Sequence, residues 1–317
     1  MSASSPLIAA YKGPAGPDVL MFAKLWSQAS GRPLKVVTIY PGAAPISMGR
    51  VDAEWVAYNR EEAHELLDEA RSRLDAFDAE FEAIGSDSAS HGLHDVQEAA
   101  GSDSIVILGS LKTRGVRRTA PGSTAELLLH GAPGPIAIVP WDYEAGPVGP
   151  IRRLAVAYVD TEDGHAALVA AGHMAQELKA ELQLVTVVPD TRVTPAMGEP
   201  SVYRDEERES FEGALKEASG HLPEGLVWST RLLGGPVVDA LADLRPEDTD
   251  VWFAAPVATA PRAAYSWAAS PLGCCDTRAF RWSSYPEVEI VRAFRGCPRG
   301  YVLCVGTAFE EAHSSSR

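Results

Sequence analysis

The chain has 317 residues, 46% of them hydrophobic and 22% charged, with a formal net charge of −15. That length holds two domains of about 150 residues or one large one, and the composition is that of a folded protein. The acidic balance excludes an extended nucleic-acid or anionic-membrane surface, which needs clustered Lys and Arg, but leaves room for a local nucleotide site. No run approaches the ~20 apolar residues of a membrane span, and the first residues lack a signal-peptide pattern, so a cytoplasmic protein is expected.

Along the chain, apolar runs alternate with helical patterns. Leu7 to Tyr11 reads as a strand, Asp18 to Ser30 as a helix, and Val36 to Tyr40 as a second strand. Asp52 to Leu74 reads as a long amphipathic helix, Phe81 to Ile84 as a third strand, and His91 to Ala99 as a short helix. Ile105 to Leu108, Ser123 to His130 and Ile136 to Val139 follow as strand, helix and strand. Such alternation predicts a doubly wound, parallel α/β sheet with ligands at the carboxyl ends of its strands.

The same unit recurs. Leu182-Gln183-Leu184-Val185-Thr186-Val187-Val188-Pro189 repeats Leu34-Lys35-Val36-Val37-Thr38-Ile39-Tyr40-Pro41, 148 positions later. The same offset sets Ala155 to Asp160 opposite Leu7 to Lys12, and Leu168 opposite Leu20. A constant spacing over a whole βαβ unit points to a duplication. The expected organisation is a first Rossmann-like domain over 1–143, a stiff Gly/Pro linker, and a second domain over 151–251 that is incomplete.

Gly109 ends the fourth strand, and Gly122-Ser123-Thr124 opens the next helix. A glycine at a strand end permits close backbone approach, and a Gly-Ser-Thr helix start offers N–H groups and hydroxyls to a phosphate. Alone, the pair also fits a plain loop and N-cap. His91 and His94 share a helix face without an evident third metal ligand, and read as solvated. The acidic segment Asp205 to Glu209 reads as a solvated face. No ordered Ser/His/Asp or Cys/His set and no motif-placed carboxylate pair indicates a catalytic centre.

The wider pattern is more specific. Ile105-Val106-Ile107-Leu108-Gly109-Ser110, then Gly122-Ser123-Thr124 and its helix, then His130-Gly131-Ala132-Pro133 and Pro135-Ile136-Ala137-Ile138-Val139-Pro140, resembles the universal stress protein family. The family's loop is Gly-x2-Gly-x9-Gly-Ser/Thr; Gly109 and Gly122 fit its ends, and Lys112 replaces its second glycine. The resemblance implies an ATP site or its relic. Gly109, Ser110, Lys112, Gly122, Ser123 and Thr124 would surround phosphates and ribose, and Ile39 and Leu108 would line the adenine pocket. The family's adenine-side Asp falls on Lys12 in the first copy and on Asp160 in the second. The resemblance further implies a regulatory stress-response protein, not an enzyme, with its two domains, or two copies of the chain, packed through their final strands. A non-binding interaction module of the same fold and a nucleotide hydrolase are the alternatives.

The second copy breaks off after Val251. All four cysteines (Cys274, Cys275, Cys297, Cys304) lie beyond it, without paired metal-ligand spacing. The genetic code offers a reading of this segment. Taken in a displaced frame, the Trp252/Phe253 junction is forced to valine and the Trp267/Ala268 junction to glycine. Junctions from Val251/Trp252 to Tyr285/Pro286 permit the missing strand, glycine loop, helix and last strand in order. Residues 252–317 are therefore expected to be an out-of-frame tail.

Overall fold

The apolar runs of the first half form strands, because a segment apolar on both faces is accommodated only in a sheet covered on both sides. The computed structural model describes residues 5–42, 52–112, 122–129, 131–141, 143, 150–188, 209, 212–234, 251–254 and 302–304. The strands are β1 (Leu7–Ala10), β2 (Leu34–Pro41), β3 (Glu80–Ser86), β4 (Ile105–Gly109) and β5 (Ile136–Val139). The apolar residues of β1, β4 and β5 are buried almost throughout. β3 lies at one end of the sheet and alternates exposed with half-buried residues. There Lys35 of β2 reaches Glu80 at 3.2 Å and Glu82 at 2.6 Å, the cross-strand charge pairing that suits a solvated edge.

Helices connect the strands. α1 (Gly16–Ser30) begins two residues before the expected Asp18, because Pro17 suits a first helical turn; Gly31, at φ 74°, ends it. α2 (Asp52–Leu74) buries Ala63, Leu67, Ala70 and Leu74, one stripe at helical spacing, and leaves its polar face in solvent. α3 (Ala89–Ala100) is capped by Ser88, whose Oγ accepts from His91 N at 3.1 Å. α4 (Ser123–Leu129) has only seven residues.

The second half contains β6 (Arg153–Ala157), α5 (Glu162–Leu178), β7 (Glu181–Val188), a helix over 212–218, β8 (Trp228–Gly234) and β9 (Val251–Ala254). No strand is expected at β8 from local pattern, yet it lies 148 positions after β3 and pairs with β7 as β3 pairs with β2. A last strand, β10 (Val302–Cys304), completes a sheet of order β3-β2-β1-β4-β5-β10-β9-β6-β7-β8. Each half reads outward in the same order, and the recorded pairings are parallel except β5 with β10, which is antiparallel.

Two expectations shift. The boundary at Val251 falls inside β9, which continues to Ala254 beside β6; the linker residues 144–149, residues 205–208 of the acidic segment, and the tail over 255–301 and 305–317 lie outside the described residues. The repeat offset is 148 in the second strands but 147 in the first. Tyr11 N donates to Val37 O at 2.9 Å, and Tyr158 N to Val185 O at 2.8 Å. Thr38 Oγ1 donates to Tyr11 O at 2.9 Å, and Thr186 Oγ1 to Tyr158 O at 3.0 Å. The strand counterpart of Lys12 is therefore Val159, and Asp160 matches Gly13; the extra residue is taken up in the loop before α5.

One buried cluster runs through both halves, joining β1, β2, α1 and α2 to β6, β7 and α5. Trp26 of α1 is fully buried in it, with the Phe22 ring edge-on at 5.2 Å. At its rim Arg32 clamps Glu177 of α5 with Nε at 2.5 Å and Nη2 at 2.8 Å, while Nη1 donates to Asp103 O at 2.6 Å. A separate cluster on the other sheet face gathers Ile8, Val37, Ile39, Val106 and Leu108 under α3 and α4.

Candidate functional site

At the carboxyl ends of β1, β2 and β4 the second cluster opens into a cleft of about 240 Å³. It is lined by Lys12, Ile39, Leu108, Gly109, Gly122, Ser123 and Thr124, so seven of the ten residues expected at a nucleotide site meet there. This follows from the winding of the sheet. β1 lies between β2 and β4, and the connections on either side diverge to opposite faces, leaving a crevice above the strand ends.

Each wall has a local cause. Ile39 and Val37 alternate with Thr38 on β2, so both point to the α3 side while Thr38 turns its hydroxyl to Tyr11 O. Leu108, next to last in β4, lies on the same face. A Cβ at Gly109 would overlap the Ala15 side chain, so glycine there lets the start of α1 close against β4. Packing alone thus accounts for this motif glycine. Gly122 has no such constraint, its nearest neighbour being Leu111 at 3.4 Å from a Cβ position. Ser123 is exposed and Thr124 half-buried at the start of α4. A seven-residue helix has a weak dipole, so the Ser123 and Thr124 hydroxyls carry the polar character of this wall.

Three expected residues lie elsewhere. Lys112 places its Nζ over the Trp141 ring, 5.2 Å from the centroid, a cation–π contact rather than a cleft contact. Ser110 is buried; its N–H donates to Val139 O at 2.8 Å and its Oγ to Leu111 O at 3.1 Å. Asp160 sits in the other half, where it accepts from the Tyr158 hydroxyl at 3.3 Å and stands 3.7 Å from His165 Nε2. Burial of Tyr158, reinforced by the Asp160 and Glu217 charges, pushes its phenol up to about 12. The loop 113–121, between Lys112 and Gly122, lies outside the described residues, as does His130.

Sequence reading misses other cleft residues, chief among them Val37, Leu93 and Leu111. Val37 is legible as the residue two before Ile39 on one strand face, but Leu93 comes from a helix that only the tertiary fold brings over the strands. On α3, His94, Asp95 and Glu98 have ligand atoms within 4.8 Å of one another, and His91 Nε2 lies 3.7 Å from Asp95. His91, Asp95 and Glu98 are exposed and His94 half-buried, as fits a solvated face of a helix whose other side buries Leu93 and Gln97.

No family model matches the chain. It is 30% identical over 179 residues to a universal stress protein of Mycobacterium bovis, and the match spans 55% of this chain and only 61% of that relative's length. The structure of a universal stress protein from Archaeoglobus fulgidus covers 96% of this chain and 98% of its own, with a TM-score of 0.61 at 18% identity. The chain is thus similar to universal stress proteins, in sequence over 61% of the mycobacterial relative's length and in fold over nearly the whole of this chain.

A further likeness, to a universal stress protein structure from Pseudomonas aeruginosa, has a TM-score of 0.54 at 14% identity and extends over 96% of this chain. These structural likenesses establish the α/β fold with parallel strands and flanking helices. Against the family pattern, the described cleft keeps both terminal glycines and the Ser-Thr pair, while its second-glycine position sends a lysine to Trp141. The described helices include none long and apolar enough to cross a membrane.

Proposed function

We propose that the chain binds a nucleoside polyphosphate in the cleft over β1, β2 and β4, ATP being the ligand the family resemblance implies, and responds to it as a regulator without turnover. The observation that carries this reading is the convergence of Ile39, Leu108, Gly109, Gly122, Ser123 and Thr124 on one crevice. Apolar Val37, Ile39 and Leu108 suit a flat base, while Ser123 and Thr124 supply donors for phosphate. The cleft, about 240 Å³, suits a base and sugar, with the phosphates at its open side. Its described lining side chains include no carboxylate or histidine to act as a base, which favours binding over hydrolysis.

The two halves descend from one duplicated unit, over 1–143 and 151–251. The paired Tyr11–Thr38 and Tyr158–Thr186 hydrogen bonds and the matching strand orders support this. The position matching Gly109 is Ala255, so the second copy as written lacks the glycine at that strand end. The displaced-frame reading of the tail accounts for that loss. Resequencing the gene tests it: an intact frame across codon 252 in close relatives contradicts it.

Titration calorimetry of the full chain with magnesium nucleotides tests the central reading, alongside a phosphate-release assay. Saturable binding at up to about millimolar nucleotide without release of phosphate is expected. No heat and no thermal shift would favour the interaction module, and steady phosphate release would favour the hydrolase.

A further inference from the structure

Among the described residues the sheet ends at β3 on one side and at β8 on the other. β5 is no edge, because β4 and β10 pair with it on both sides. The two edges are built differently. β3 exposes Glu80 and Glu82, and charges along an edge discourage a further strand. β8 carries no carboxylate; its Trp228 is 42% exposed, and Val227 just before it is 68% exposed. The β8 backbone also has a defined open side. Leu182 N donates to Val227 O at 3.0 Å, and Leu182 stands opposite Trp228 in the parallel register. N–H and C=O groups alternate sides along a strand. Ser229 and Arg231 therefore bond toward β7, as Val227 does, while Trp228, Thr230 and Leu232 turn their backbone groups to the open edge.

We propose that β8 is the docking edge for a second copy of this chain, joined β8 to β8 in antiparallel register about a two-fold axis at Thr230. The occupant follows from the strand itself. A closed pair of identical chains needs a self-complementary contact. With Thr230 on the axis, the three outward-bonding residues of one strand meet the same three of the other. Thr230 faces its own copy, Trp228 faces Leu232 of the second copy, and Ser229 faces Arg231. An aromatic ring thus lies across from an aliphatic side chain twice, and no charge meets its like. The new ladder adds about six backbone hydrogen bonds. The same operation on β3 about Phe81 sets Glu80 against Glu82, a like-charge pairing that disfavours that edge. This contact lies apart from the cleft and does not rest on the nucleotide reading.

Sedimentation equilibrium of the full chain at rising concentration tests this. A reversible dimer with a dissociation constant on the order of 10–100 µM is expected, because one strand edge buries less than a standard interface. Trp228→Glu and Thr230→Pro should each weaken it about tenfold or more. Both residues are exposed and the Thr230 N–H turns outward, so circular dichroism and melting temperature at dilute concentration should be unchanged. Oxidation of Thr230→Cys should cross-link two copies beyond the level of the unaltered chain, since a hydrogen-bonded antiparallel pair holds its Cα atoms about 5.5 Å apart. Trp228→Cys, which faces Leu232, should not. A chain that stays monomeric up to about 1 mM overturns the proposal. So does a dimer that keeps its affinity in both edge variants, or cross-linking through Trp228→Cys in place of Thr230→Cys.

Discussion

The two halves of this molecule begin alike and end differently. Up to the second strand they share register, the buried Thr-to-Tyr hydrogen bond, and a helix packed into one common core. They also share the neighbouring strands, β3 and β8 outside and β4 and β9 inside, and part only at the end of the latter pair. In the first half β4 ends in Gly109, whose missing side chain lets α1 close in, and the cleft forms above it. In the second half β9 leads to Ala255, and the strand beside it is drawn from residues 302–304. Two demands on one fold are thereby separated: the βαβ start makes the core, whereas the glycine-ended strand and following helix make the site. A copy can lose the second and still serve as packing for the first.

Substitutions in the shared core should have the largest effects. Trp26→Ala is expected to destabilise the chain by about 4 kcal/mol, and Met174→Ala, at the corresponding position of α5, by about 2–3 kcal/mol. Chemical denaturation measures both. A single transition shifted by either change supports one shared core, and separate transitions would break the comparison. Next come Arg32→Ala and Glu177→Ala, each about 2 kcal/mol, because either leaves a partly buried partner uncompensated. A double-mutant cycle should show the two losses to be strongly non-additive. Thr38→Val and Thr186→Val should each cost about 1 kcal/mol by removing equivalent hydrogen bonds. Unequal costs would argue that the two strand ends are not equivalent.

The smallest effect concerns the paired tyrosines. Tyr158 has its phenol raised from 10.0 to about 12, and burial with Glu69 nearby raises Tyr11 as well. The folded state therefore holds the Tyr158 proton more tightly than the unfolded chain. That contribution is complete below pH 10 and is lost as pH rises toward 12. Ultraviolet titration should show this tyrosine as a late-ionising class, and Asp160→Asn should move it back toward the ordinary value.

Much of this is legible in the chain. Alternating apolar runs and helical stripes place the strands and helices of the first half to within a residue or two, because short-range patterning governs buried parallel strands. The constant spacing of Leu34 and Leu182 predicts the second β2-like strand. The same spacing from β3 indicates β8, whose exposed Trp228 and half-polar sequence hide it from local pattern. At the site, glycines and hydroxyls are legible from their motif, but side-chain direction is not. Lys112 fits the loop by spacing and yet lies over Trp141, a ring from the segment after β5. Lys12 and Asp160 fit one motif position, while register separates them by one residue. Such distinctions depend on hydrogen-bond pairing between distant strands, which sequence spacing approximates only to the nearest insertion.

The most direct test of the account is nucleotide titration of the full chain beside two variants, Gly109→Val and Lys112→Ala. The first places a branched side chain where even a Cβ would overlap Ala15, closing the cleft from below. The account predicts saturable binding by the unaltered chain, its loss in Gly109→Val, and an affinity within about twofold of the original in Lys112→Ala. Binding that survives Gly109→Val and collapses in Lys112→Ala would contradict it, placing the ligand on Lys112 and outside the cleft.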